Sequence, residues 1–485
     1  MIYPGVDQND YKASCRISEI RFPRSGSCTK TRLAASVAAS GTGRSVEADK
    51  VRTCFSEPGT TVLERETMPP PFLAQWDSQR VPRNAWSNLT RGFSADEPLP
   101  VWIDCDPGHD DAFALVLAAH NPRLRLLGVS TVDGNGSVEN TTLNAARILK
   151  AAGVQQVRVY AGAALPLLRR TQPCSRPQTC KDNGSKKAQP RHPEHIHGRS
   201  GMELVQSAEL WPDACFGHDL LDTEPAVQAM ASAIMDEYVR LNPDTCLIRN
   251  RTVCTLRSEL GKGSRDGPID AEHSTEQTQT SERRVKIVTC GPLTNIALLV
   301  SIYREVIPLI DLVVLGGALF SAGNVSPVAE FNIHHDPEAF HIVTSAGIEN
   351  ILLIPLEVTH TVLAGEQVMD ALHRIHSPFS VLLTGLLAYY GERYRHAFGF
   401  EAPPLHDPVA VAAVFGATLG KFAIQHHRVD VELHEGTLCH GKVVVDVWGH
   451  TGRPRNMYVA LAVDTEWFWS EMLAVIKRAN EVSPL

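Results

Sequence analysis

The chain reads as an α/β protein: an open, mostly parallel sheet with helices on both faces, Rossmann-like in plan, plus a small antiparallel extension. Three observations lead there. Short apolar runs alternate with stretches of helical periodicity from Pro100 onward, and parallel neighbours need such helical crossovers. The runs have the make-up of strands buried on both faces. The polar, chemistry-bearing residues cluster where an apolar run gives way to a helix, the edge at which open α/β sheets hold ligands.

Taken in order, residues 101–103, 126–130, 157–161, 285–288, 312–315 and 351–354 read as buried strands. Amphipathic helices are expected at 112–119, 141–152, 226–241, 295–302 and 338–346. Residues 429–433, 442–447 and 458–463 read as the antiparallel extension, and 465–479 as a final helix. No internal repeat is present.

Residues 1–97 differ in kind. They carry Ser, Gly, Arg and Pro without sustained periodicity and are read as a disordered extension, with residues 72–86 able to pack on the domain. Between Lys12 and Ser45 stand seven Lys/Arg against the single acid Glu19, the bias of a transit peptide. Asp7 and Asp10 precede it and no apolar signal core follows, so a cytoplasmic chain is the reading and an organelle address the alternative. The domain runs from 98 to 485, interrupted by polar insertions near 169–193 and 245–284, where surface loops tolerate added length.

Of the 485 residues, 43% are hydrophobic and 21% charged, ordinary for a globular protein. A net charge of −8 argues against nucleic acid as a partner. No apolar run approaches the ~18 residues of a membrane span. The eleven cysteines form no CxxC pair and no zinc spacing, which makes a reducing compartment the default. Cys105 reads as a small buried residue, and whether Cys174 and Cys180 pair is left open.

The densest chemistry lies in Leu99-Pro-Val-Trp-Ile-Asp-Cys-Asp-Pro-Gly-His-Asp-Asp, where Asp104, Asp106, Asp110 and Asp111 crowd into eight positions. Like charges so close call for a cation. Carboxylate oxygens without a cysteine among the donors favour a hard ion, Ca²⁺ or Mg²⁺, over Zn²⁺. Four more clusters follow at strand-to-helix corners: Asn135 in Thr-Val-Asp-Gly-Asn; Cys290-Gly-Pro-Leu-Thr-Asn; Asn324 with Ala329-Glu-Phe-Asn332; and Leu405-His-Asp-Pro408.

In this order the five clusters resemble the inosine–uridine-type nucleoside hydrolases, Ca²⁺-dependent N-ribohydrolases, from about Pro98 to the C-terminus. The resemblance implies hydrolysis of ribonucleosides such as inosine and uridine to ribose and free base. It assigns Ca²⁺ to the side chains of Asp106, Asp111 and Asp407 and the backbone carbonyl of Thr294, with Asp106 also the general base. Asp104 would support the site from behind. Asp110, Asn135, Asn324, Glu330 and Asn332 fall at ribose-hydroxyl positions, and Phe331 would pack on ribose or base. His406 is the implied acid for the leaving base, Tyr390 and Tyr394 flank that base, and His197 lies on the loop closing over the site. A homo-oligomer, dimer or tetramer, is implied as well.

Taken singly, Asp407 before Pro408 also fits a helix N-cap. His109, beside Asp110, reads as a group that stabilises that carboxylate's charge or moves the pH optimum. Glu357 lies outside the metal set. Two other functions compete. A haloacid-dehalogenase-type phosphatase would use Asp104 as nucleophile, but Pro107-Gly does not suit that motif. A non-catalytic nucleoside or sugar sensor needs neither Asp106 nor His406.

Overall fold

The computed structural model describes residues 92–94, 97–168, 193–203, 217–243 and 283–485. The expectations for residues 1–91, for nearly all of both insertions and for Cys174 and Cys180 lie outside these residues.

A ten-stranded sheet organises the domain: β1 (Leu99–Cys105), β2 (Leu124–Thr131), β3 (Val159–Ala161), β4 (Leu221–Asp222), β5 (Val285–Thr289), β6 (Ile310–Leu315), β7 (Ile351–Ile354), β8 (Phe422–Val431), β9 (Val443–Asp446) and β10 (Met457–Val463). In space the order is β4-β3-β2-β1-β5-β6-β7-β10-β8-β9. From β4 to β10 every pairing is parallel; β10–β8 and β8–β9 are antiparallel. The helices are α1 (His109–His120), α2 (Val138–Ala151), α3 (Glu194–His197), α4 (Ala226–Leu241), α5 (Thr294–Ile302), α6 (Phe331–His335), α7 (Pro337–Ser345), α8 (Leu356–Thr359), α9 (Glu366–His373), α10 (Pro378–Phe398), α11 (Asp407–Gly416) and α12 (Thr465–Val482).

Two differences from the sequence reading concern the extension. Tyr458–Val459 pair parallel with Leu352–Leu353, so β10 belongs to the main sheet and carries the antiparallel pair on its outer side. The strand expected at 429–433 begins at Phe422, because its first half pairs with β10 before its second half pairs with β9.

The period of two along each central strand divides the core. Val101, Ile103 and Cys105 enter one apolar layer together with Val288, Val313, Leu352 and the inner residues of α1, α2, α10, α11 and α12. Trp102, Ile287, Leu312, Val314 and Leu353 enter the other, under α4, α5 and α7. At the bulge between Val101 and Trp102 the indole covers Gly128, where a Cβ would stand 2.4 Å from the ring. The indole N–H donates to Ser130 Oγ at 2.9 Å, so the buried ring leaves no polar atom unpaired.

β1 sits where the order turns, with β2 on one side and β5 on the other. Crossovers leave β1 in opposite directions there, opening a crevice beyond the carboxyl ends of the strands.

One buried ion pair lies within the sheet. Lys286 Nζ donates to Asp311 Oδ2 at 2.5 Å, with both side chains 1% exposed, and Asn350 and Arg284 also donate to Asp311. Lys286→Met should therefore cost about 3 kcal/mol in urea unfolding, since it strands a buried carboxylate, whereas Lys286→Met with Asp311→Leu should recover most of the loss. Equal destabilisation by the single and double variants would refute this account.

Candidate active site

Four carboxylates, Asp106, Asp110, Asp111 and Asp407, crowd together beyond the carboxyl end of β1, and Asp104 ends the strand itself. Asp104, at the end of β1, accepts from Ser130 Oγ (2.5 Å) and Asn295 Nδ2 (2.8 Å). Both bonds fall on Oδ1, and Asp104 is not among the residues that line the cavity. Asp106 follows the strand; its Oδ2 accepts from the Asn135 backbone N–H at 2.8 Å. Cβ atoms at Gly134 and Gly291 would stand 2.0 and 2.7 Å from this carboxylate, so only glycine lets the two loops close around it. Asp110 and Asp111 lie in the first turn of α1, where the positive end of the helix dipole favours them. Asp111 Oδ2 accepts from Gly108 N–H at 2.8 Å, and Asp110 Oδ2 from His406 N–H at 3.2 Å.

Asp407 completes the floor from a distant segment. It is the first residue of α11, with His406 at the cap position and no side-chain cap bond. The N-cap position thus falls to His406 and not to Asp407, whose carboxyl comes within hydrogen-bond range of Asp110 and Asp111. Packing beats local capping here.

Burial is the main cause that raises these groups, and repulsion from acidic neighbours adds to it at Asp106, Asp110 and Asp407. Asp104 and Asp110 are pushed up to about 7 and Asp111 to about 6. Asp106 and Asp407 are raised well above the usual carboxylate range by burial and then by their acidic neighbours. Asp106 Oδ1 and Asp111 Oδ1 are buried with no hydrogen-bond partner. Orphaned anionic oxygens among other carboxylates are what a bound cation would satisfy, so the donor set fits one. Among the described residues, Asp111, Cys290 and Asp407 each bring a potential ligand atom within 4.8 Å of the others. Thr294, the first residue of α5, has its hydroxyl committed to Asp336 at 2.7 Å.

Above the floor lies a cavity of about 380 Å³. Of the residues singled out from sequence, Asp110, Asn135, His197, Asn324, Glu330, Phe331, Asn332, Tyr390, Tyr394, His406 and Asp407 line it. Asp106, Asp111 and Thr294 are not in the lining. Sequence reasoning missed Cys290, Leu315, Ile354, Leu356, Ile196 and Phe398, which also line it. Leu315 and Ile354 end β6 and β7, so position at a strand's carboxyl end was the available signal.

The wall opposite α1 is braced by hydrogen bonds. Glu330 caps α6, accepting from Asn332 N–H (2.8 Å) and Ile333 N–H (3.2 Å), and reaches back to Gly317 N–H at 2.9 Å. Asn332 Nδ2 donates to the Cys290 carbonyl at 2.8 Å, and Asn324 Oδ1 accepts from Phe331 N–H at 2.8 Å. The loop bearing Asn324 is gripped by Glu357, whose Oε1 accepts from the N–H groups of Leu319, Phe320 and Ser321 at 2.7–2.8 Å. Lys442, just before β9, donates to the carbonyls of Ala318 and Leu319 in the same loop.

Histidines form the remaining wall. His406 has both ring nitrogens engaged: Nδ1 with Thr359 Oγ1 and Nε2 with Tyr394 Oη, each at 2.7 Å. Tyr394 therefore occupies the ring nitrogen that the sequence reading left free for the base. Burial holds His406 well below its usual range. His109 does not turn to Asp110 as expected. Its Nδ1 stands 3.2 Å from His197 Nδ1, and its Nε2–H donates to the Glu203 carbonyl at 2.7 Å. The His109 ring stacks on Tyr389 and Tyr390 at 5.0 and 5.6 Å, and burial there lowers it to about 4.

Comparison with known proteins gives a consistent result. The family profile described as inosine-uridine preferring nucleoside hydrolase matches residues 101–470. A Dictyostelium discoideum protein named "Probable ribonucleoside hydrolase" is 31% identical over 79% of this chain and 95% of its own length. The pyrimidine-specific ribonucleoside hydrolase RihA of Photobacterium profundum is 33% identical over 76% of this chain and 96% of its own. Among solved structures, a purine-preferring ribonucleoside hydrolase from Gardnerella vaginalis shares the fold with a TM-score of 0.57 and 23% identity, covering 79% of this chain and 99% of that one.

The three N–H groups on Glu357 give this geometry a direct check. Glu357→Ala should speed hydrogen exchange of the Leu319, Phe320 and Ser321 amides about ten- to hundredfold, from the ~1.5–3 kcal/mol of bonds to a charged acceptor. Glu357→Gln, which keeps an acceptor oxygen, should retain most of the protection. Unchanged exchange in the alanine variant would mean that the loop is held by other contacts.

Proposed function

Because this chain belongs to the inosine-uridine preferring nucleoside hydrolase family, we propose that its pocket hydrolyses the N-glycosidic bond of ribonucleosides, giving ribose and free base, with inosine and uridine as substrates. The observation that carries this reading is one cavity with buried carboxylates at its floor and a His406–Tyr394 pair in its wall. Cleavage needs those two chemistries on opposite sides of the ribose: a base for water and a proton source for the leaving group.

Asp106 is the proposed general base. Its Oδ1 has no protein partner, which leaves that oxygen to the ion or to the proton of an attacking water. The side chains of Asp106, Asp111 and Asp407 and the Thr294 carbonyl are the proposed Ca²⁺ donors. When bound, the ion cancels carboxylate repulsion, acidifies water nearby and orients vicinal hydroxyls. Asp110, Asn135, Asn324 and Asn332 would hold the ribose hydroxyls, since carboxylates and amides serve groups that both donate and accept. Glu330, raised by burial yet tethered by three N–H groups, would face the positive charge that develops on the sugar. Water adds to the anomeric carbon, the glycosidic pair departs with the base, and the base takes a proton.

That proton would travel through the His406–Tyr394 pair. The Tyr394 ring also meets Tyr390 edge to face, with centroids 4.7 Å apart, so Tyr390 stands beside the Tyr394–imidazole pair. Stacking on Tyr390, Tyr394 and Phe398 would accept either base class, because every base has a π-face. A cytoplasmic setting and a homo-oligomer belong to the same proposal. Buried free thiols at Cys105 and Cys290 suit a reducing compartment, and among the described residues no helix is long and apolar enough to cross a membrane.

Release of reducing sugar from inosine and uridine is the direct test, run with and without EDTA. Turnover should be lost on chelation and restored by Ca²⁺, and Asp106→Asn should lower kcat about a thousandfold. Nucleoside binding without turnover in metal-replete protein would favour the sensor. A second measurement concerns the acid side: Tyr394→Phe should lower kcat about ten- to hundredfold with a smaller change in KM. A change confined to KM would reduce Tyr394 to a binding surface.

A further inference from the structure

The hard-cation expectation takes a donor set of oxygens alone, and in the folded chain a sulfur stands beside two of those carboxylates. Cys290 follows β5, and its Sγ joins carboxylate oxygens of Asp111 and Asp407 in a group whose ligand atoms all lie within 4.8 Å of one another. Two observations point this group at a ligand. Asp106 Oδ1 and Asp111 Oδ1 are buried without a partner. Asp106 Oδ1 also lies over Gly291, the residue next to Cys290, where a Cβ would be 2.7 Å away. Cys290 itself is a free thiol that lines the cavity. Its one hydrogen-bond contact is long, Sγ to the Asp407 carbonyl at 4.0 Å, so the sulfur is not committed elsewhere.

We infer that the cation seat of this chain includes Cys290 as a sulfur donor and so accepts a thiophilic divalent cation of the Zn²⁺ and Cd²⁺ class in competition with Ca²⁺. Two carboxylates and a thiolate suit a borderline or soft ion, whereas Ca²⁺ takes oxygen alone. As the sulfur–metal bond forms, the S–H bond breaks and its proton passes to solvent. The inference rests on the hydrolase reading for the identity of the seat, but its test needs no turnover.

The full chain, reduced and freed of metal with EDTA that is then removed, would be titrated with CdCl₂ while the ultraviolet sulfur-to-cadmium charge-transfer absorption is followed. The expected result is a band that saturates near one equivalent, is suppressed by excess Ca²⁺, and disappears in Cys290→Ser with about tenfold weaker Cd²⁺ binding by calorimetry. Cys290→Val, which lacks any donor atom, accompanies it in case the serine variant fails to fold, with circular dichroism as the check. Any absorption that survives in a folded Cys290 variant belongs to the other cysteines. Identical cadmium spectra in the parent and the folded variants would overturn the inference, as would a Cys290-dependent band that excess Ca²⁺ leaves intact. If the band behaves as expected while no ribonucleoside is hydrolysed, the proposed function falls and the sulfur donor stands.

Discussion

Burying Asp106, Asp110, Asp111 and Asp407 together at the end of one strand is the constraint on which the rest of the site depends. Each carboxylate loses its hydration, and each then repels the others across a medium that screens poorly. The fold offers partial relief: backbone N–H groups from Gly108, Asn135 and His406, and the amino end of α1. Those donors leave Asp106 Oδ1 and Asp111 Oδ1 unanswered. A site left electrostatically incomplete by its own protein is poised to gain from a cation, and from the hydroxyl-rich substrate such an ion would orient.

The same crowding explains the choice of residues around it. Gly134 and Gly291 come from loops after β2 and β5, the two neighbours of β1, and both must pass within a Cβ's reach of Asp106. The far wall is organised from farther away. Glu357, after β7, and Lys442, before β9, grip one loop through its N–H and C=O groups respectively. The antiparallel extension therefore helps to hold the loop that carries Asn324.

Hydrogen-bond capacity, rather than charge, governs the histidine wall. A neutral imidazole has one donor and one acceptor, and His406 spends both on Thr359 and Tyr394. His109 gives its Nε2–H to a carbonyl, which leaves Nδ1 as the face it turns to His197. Buried rings of this kind are held in place by partners on several elements, so their orientation is a property of the assembled wall.

By itself the sequence determined the alternation of strands and helices, because buried parallel strands and amphipathic crossovers leave periods that a linear chain displays. It also determined which segments bear the site: Asp104 to Asp111, Asn135, Cys290 to Asn295, Asn324 to Asn332 and His406-Asp407 all stand at strand-to-helix corners, and order along the chain tied them to one family. Only the tertiary structure decided what each side chain faces. Asp407 before Pro408 has the same pattern whether it caps a helix or joins a carboxylate floor, and distant Asp110 and Asp111 settle the matter. His109 borders Asp110 in the chain yet faces His197, since a helix turns neighbouring residues to different sides. Tyr394 meets His406 because α10 packs across the cavity. Cys290 heads one of these clusters with no role of its own until folding sets its sulfur beside carboxylates more than a hundred residues away in either direction. Spacing along a chain fixes contacts within a helix or a strand; contacts between segments are fixed by how those elements pack.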